Sequence, residues 1–77
     1  MRLSRAEVKD TIARFLDGTG EPWVWDDFVS VEIEDPFLDT IRQLCFNIRE
    51  AYPPPTGSKS YCNERGISLM RALSDAL

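Results

Sequence analysis

Five prolines, at positions 22, 36, 53, 54 and 55, divide the chain into four pieces of 21, 13, 16 and 22 residues. Proline removes a backbone donor and locks φ, so it interrupts both a helix interior and a strand ladder. The pieces also decide between helix and sheet. Only one run, Val29-Ser30-Val31-Glu32-Ile33-Glu34, alternates apolar and polar residues with the two-residue period of a half-buried strand. A strand needs a partner, and no second run of this kind exists. The remaining apolar residues recur at helical spacing, so the sequence specifies a mainly α fold.

Helix one is legible from its own ends. Ser4-Arg5-Ala6-Glu7 has the spacing of a capping box, Leu3 and Val8 are placed as a hydrophobic staple, and Gly18 supplies a left-handed stop. Between them Val8, Ile12, Phe15 and Leu16 fall on one face, which places the helix at about residues 5–17. Thr19-Gly20-Glu21-Pro22 reads as a turn. Trp25 to Phe28 is compatible with a single helical turn, and residues 29–34 read as an extended segment laid on the helices or paired with a second copy of itself.

Asp35-Pro36 starts the next helix, since aspartate caps free amides and proline at the first helical position leaves no amide unpaired. Phe37, Ile41, Leu44, Cys45 and Ile48 line its predicted buried face, over about residues 36–51. Tyr52-Pro53-Pro54-Pro55 ends it and opens a loop that is stiff first and flexible afterwards. Asn63 then caps a third helix at about 64–76, with Ile67, Met70, Leu73 and Leu77 inward and Leu69 and Ala76 beside them. The expectation is a single small three-helix domain over residues 1–77, with an extended acidic-aromatic segment between helices one and two.

Charge is distributed very unevenly along this framework. Residues 15–41 hold eight acids (Asp17, Glu21, Asp26, Asp27, Glu32, Glu34, Asp35 and Asp39) and neither lysine nor arginine, in a chain of net charge −4. Both tryptophans, Trp23 and Trp25, fall inside the same window. Two residues apart, the indoles share a face if the chain is extended and occupy different faces if it is helical. A concentrated negative potential attracts basic proteins and repels nucleic acid. The few bases near the third helix, Lys59, Arg65 and Arg71, are too dilute to form a nucleic-acid stripe.

Most chemistry is excluded by composition. There is no histidine, so the commonest general base and metal ligand is missing. The four glycines never take the order of a phosphate-binding loop, and the acids of residues 26–32 are interrupted by bulky apolar residues where a calcium loop has its glycine turn. No metal or other cofactor is expected. Cys62, ahead of the third helix, is the one conceivable nucleophile, with helix dipoles and Arg65 nearby but no base beside it. Cys45 belongs to an apolar face, and both cysteines read as reduced thiols. The polar, helix-starting residues from Met1 to Glu7 lack the apolar core of a secretory signal, and apolar runs of two or three residues do not span a bilayer, so the expectation is a cytoplasmic protein with no membrane contact.

The block Trp23-Val24-Trp25-Asp26-Asp27-Phe28, followed by Asp35-Pro36 and by Tyr61-Cys62-Asn63-Glu64-Arg65-Gly66, resembles a group of small bacterial proteins of unknown function that share W-x-W-D-D-F and D-P. The resemblance implies a small bacterial helical domain and no reaction. From the residues themselves, the expected function is non-enzymatic: Trp23, Trp25, Asp26, Asp27, Glu32, Glu34 and Asp39 form an acidic-aromatic face for a protein with a basic surface. An immunity or antitoxin-like inhibitor is one concrete form. Two other readings stay open, a homodimer formed by pairing residues 29–34 and a thiol enzyme built on Cys62.

Overall fold

A computed structural model describes all residues, 1–77. Four helices follow one another: α1 (Arg5–Asp17), α2 (Pro22–Ser30), α3 (Pro36–Ala51) and α4 (Glu64–Asp75). No strand is present. Three of the four match the expected helices to within a residue, and α2 is the addition that turns a three-helix plan into four.

The caps explain the agreement. Ser4 Oγ accepts from the Glu7 amide and Glu7 Oε1 accepts from the Ser4 amide, closing the box at α1, and Gly18 ends the helix at φ 73°. Asp35 Oδ1 accepts from the amides of Phe37 and Leu38 at the start of α3. Asn63 Oδ1 does the same for Arg65 and Gly66 at the start of α4. Each cap satisfies donors that the helix itself cannot.

α2 forms where the sequence suggested a turn and then an extended segment. Pro22, read as a breaker, occupies the first helical turn, where its missing amide leaves nothing unpaired. Trp25, Phe28 and Val29 then fall at helical spacing and are all buried. The helix stops when Val31 turns extended, so Val29 and Ser30 are helical and only the remainder of the expected segment is extended. That remainder does find a backbone partner, in Met1. The Met1 ammonium donates to the Glu32 carbonyl at 2.6 Å, and the Glu34 amide donates to the Met1 carbonyl at 2.9 Å. Between these bonds Ile33 points into the core. Within the chain, Met1 thus supplies backbone partners to this extended segment.

The core is one cluster of twelve side chains drawn from every helix and both long connections, Val8, Ile12, Trp25, Phe28, Val29, Ile33, Leu38, Ile41, Cys45, Ile48, Cys62 and Met70. At α3 the buried stripe is Leu38, Ile41, Cys45 and Ile48, whereas Phe37 and Leu44, assigned inward from the sequence, are 50% and 42% exposed. Both choices fit the helical period. Tertiary packing selects the stripe that joins the common core with Val8, Ile12, Trp25, Phe28 and Met70. α4 packs on α1, where Lys9 Nζ donates to the Ser74 carbonyl and Arg5 to the Ala76 carbonyl, placing cations at the negative end of the α4 dipole. At its other end α4 approaches α3 closely enough that a Cβ on Gly66 would sit 2.7 Å from Cys62 Sγ and 2.9 Å from Ile48 Cγ2.

Candidate functional site

The seven residues assigned to the acidic-aromatic face separate into three groups. Helical geometry does the sorting. On α2 the buried positions 25, 28 and 29 define the inner side, so residues three and four apart on the other side, Trp23 with Asp26 and Asp27, form an outward ridge. Trp23 is 63% exposed, and Trp25 only 4%. The extended geometry in which the two indoles would act together is not adopted.

Trp25 belongs to an aromatic cluster instead. Its ring stacks on Phe15 with centroids 3.9 Å apart, and Tyr61 meets both rings edge-on at 5.3 and 5.7 Å. Tyr61 is fixed in turn by donating its hydroxyl to the Cys45 carbonyl at 2.9 Å. Burial pushes the Tyr61 phenol above its ordinary pKa, while the neighbouring Trp25 indole acts in the opposite direction. The indole N–H itself is buried and lies outside hydrogen-bonding geometry with any acceptor. This cluster closes the end of the fold between the α1–α2 turn and the loop before α4.

Asp39 is also withdrawn from the surface, at 9% exposure. Its Oδ1 accepts from Arg42 Nε at 2.7 Å and from the Ile33 amide at 2.9 Å, and Oδ2 accepts from Gln43 Nε2 at 2.8 Å. Arg42 continues the chain of bonds to the Val29 carbonyl, at 2.9 Å, near the end of α2. The bonds from Arg42, Ile33 and Gln43 hold the Asp39 carboxyl well below the usual carboxylate range. Asp39 is thus a latch joining α3 to the α2–α3 connection. Sequence reasoning counted its charge and passed over its partners, although arginine three residues on and glutamine four residues on are the spacing that signals such a bond.

Glu32 and Glu34 are exposed, but they lie beyond the C-terminal end of α2, whereas Trp23 opens it. Glu34 pairs with Arg2 at 3.2 Å across a solvent-exposed contact. Asp35 is occupied as the α3 cap. Of the eight acids in residues 15–41, Asp17, Glu21, Asp26, Asp27 and Glu32 make no side-chain hydrogen bond or ion pair with the rest of the molecule.

The ridge has no structural reason for its charge. α2 has no side-chain cap at its N-terminus, no acid in its first turn and no base in its last. Asp27 lies in the last turn, where a negative charge opposes the helix dipole. Arg42 reaching the Val29 carbonyl from α3 offsets part of this.

Burial works against either cysteine as a nucleophile. Both thiols are free and buried. Burial raises the Cys62 pKa and pushes that of Cys45 up to about 12, away from the reactive thiolate. No three cysteine or carboxylate side chains converge as a metal site would require. No helix is long and apolar enough to cross a membrane.

Beside the ridge runs a cleft of about 570 Å³, between α2, the C-terminal half of α3 and the proline loop. It continues past Asp26, Arg49 and Tyr61 into a recess of about 300 Å³ that reaches Lys59. A larger cleft of about 610 Å³ lies on the other side of the α1–α2 turn, where Arg14 is already paired with Asp10 at 2.9 Å. Comparison with protein families, with curated proteins and with solved structures finds no match to the chain.

Proposed function

We propose that this protein is a non-enzymatic interaction domain that docks a basic protein surface through the outward ridge of α2. The observation that carries the reading is the exposed Trp23 flanked one helical turn later by Asp26 and Asp27, with no base on the helix. An exposed tryptophan beside unpaired acids combines the two features binding surfaces use: a large anchor that excludes water, and charge that steers the encounter. Neither acid is explained by folding, and Asp27 opposes the dipole of its own helix. Masking of a cationic enzyme by an immunity or antitoxin-like mechanism is one form this role takes, supported by charge alone.

The test is capture of partners from the native cell by the wild-type protein and by a variant with Asp26, Asp27, Glu32 and Glu34 changed to lysine. The wild type is expected to retain a basic protein that elutes with salt, and the variant, folded by circular dichroism, to lose it. Equal retention by both proteins would overturn the proposal.

A further inference from the structure

The cleft beside the ridge narrows what kind of partner fits. One wall is the edge of α2, where Asp26 and Ser30 stand one turn apart; the facing wall is α3, with Phe46 and Glu50 at the same spacing; Pro53 and Pro54 close the end. Phe46 is 52% exposed. It is the largest apolar group of that wall, and with the prolines at the end it gives the cleft a stiff apolar surface. Asp26 and Glu50 place negative charge on both walls, and Arg49, beside Glu50 on α3, supplies one positive charge. Each wall is about one helical turn long, roughly 6 Å, which suits one or two inserted side chains and not an extended strand. The fold offers no strand for main-chain pairing, which removes strand addition, and a short cleft with an apolar surface and acids on both walls matches the face of an amphipathic helix.

We infer that the occupant is an amphipathic basic helix of another protein, inserting an apolar side chain onto Phe46, Pro53 and Pro54 while its lysines or arginines lie over Asp26 and Asp27. This deepens, and rests on, the docking role of the α2 ridge. A second copy of the chain does not fit the description. On α1, Arg5 and Lys9 bond to α4 carbonyls and Arg14 pairs with Asp10; on α3, Arg42 is held by Asp39, which leaves Arg49 as the single unpaired base of that helix. The two bases of α4, Arg65 and Arg71, are six residues apart and project from different sides of the helix. No helix of this protein therefore presents a free basic stripe.

Three synthetic peptides of about fourteen residues, four helical turns, test the inference. One carries leucines at i, i+3, i+4 and i+7 opposite lysines, one has the same composition shuffled, and one has the same charge without leucine. Amide chemical shifts of the isotopically labelled protein report where each binds. The amphipathic peptide is expected to shift Ser30, Phe46 and Glu50 as well as Asp26 and Asp27, and to bind about tenfold more tightly than the shuffled one, the gain from burying about one leucine. Phe46→Ser and, independently, Ser30→Arg should remove that gain. Equal binding of the amphipathic and shuffled peptides, or indifference to both substitutions, overturns the groove. If the leucine-free peptide still shifts Asp26 and Asp27 in a salt-sensitive way, the ridge survives that result. If it does not, the docking role itself fails.

Discussion

Replacing Asp27 with lysine should stabilise the fold while impairing its proposed function. Asp27 is exposed in the last turn of α2, a helix with no base of its own there and no side-chain cap at its start. Exchanging a negative for a positive charge near the C-terminus contributes about 0.3 kcal/mol for each sign at an exposed site, at the low end of the usual range. Lysine also exceeds aspartate in helix propensity by about 0.3 kcal/mol. Together these give about 1 kcal/mol, which for a chain of this size is a Tm increase of about 4–8 °C. Thermal unfolding followed by circular dichroism at low salt measures it. About two thirds of the effect is electrostatic and should fade at 1 M salt, where the Debye length falls to about 3 Å. A fall in Tm would show that Asp27 supports the fold and would remove the physical reason for reading the ridge as functional.

Three further perturbations probe other parts of the account. Gly66→Ala should destabilise by about 1–3 kcal/mol in denaturant titrations, because its Cβ would crowd Cys62 and Ile48; unchanged stability would mean that α4 is not pinned against α3. The Asp39 carboxyl is held low in the folded state, so its stabilisation is present above the ordinary value of about 3.8 and is lost as pH falls below it. Asp39→Asn should therefore weaken the fold at pH 7 and flatten the loss of stability below pH 4, and an unchanged acid limb would contradict the latch. Trp25→Ala should cost about 3–5 kcal/mol and Trp23→Ala less than about 0.5 kcal/mol, whereas equal costs would mean that the inward and outward assignments are wrong.

The helix ends were legible in the sequence because their chemistry is local. Ser4 with Glu7, Gly18, Asp35-Pro36 and Asn63 each act within a few residues, and α1, α3 and α4 begin, and α1 ends, where they indicate. α2 was obscured by two ambiguities. Pro22 can end one element or begin the next, and Val29 fits either a strand alternation or the helical set of Trp25 and Phe28. Tertiary packing resolves both, since the helix buries Trp25, Phe28 and Val29 together with Trp25 stacked on Phe15. The same packing places Leu38 inward at α3 and leaves Phe37 and Leu44 outward, while Ile41, Cys45 and Ile48 are buried as expected.

At the candidate site, sequence fixed the location of the charge but not its availability. Asp35 caps α3, Asp39 is buried in the latch, Glu34 meets Arg2, and Trp25 is core. The exposed arrangement of Trp23, Asp26 and Asp27 emerges only once residues 22–30 are known to be helical. Phe46 was not singled out beforehand, because its role depends on the proline loop returning alongside α2.

The measurement that bears most directly on the docking role uses the captured basic partner and a Trp25→Phe variant, in which Trp23 is the one remaining tryptophan. Complex formation should shift Trp23 emission to the blue and protect it from acrylamide quenching, and added salt should reverse both changes. A complex in which Trp23 stays fully accessible and binding does not respond to salt would contradict the account.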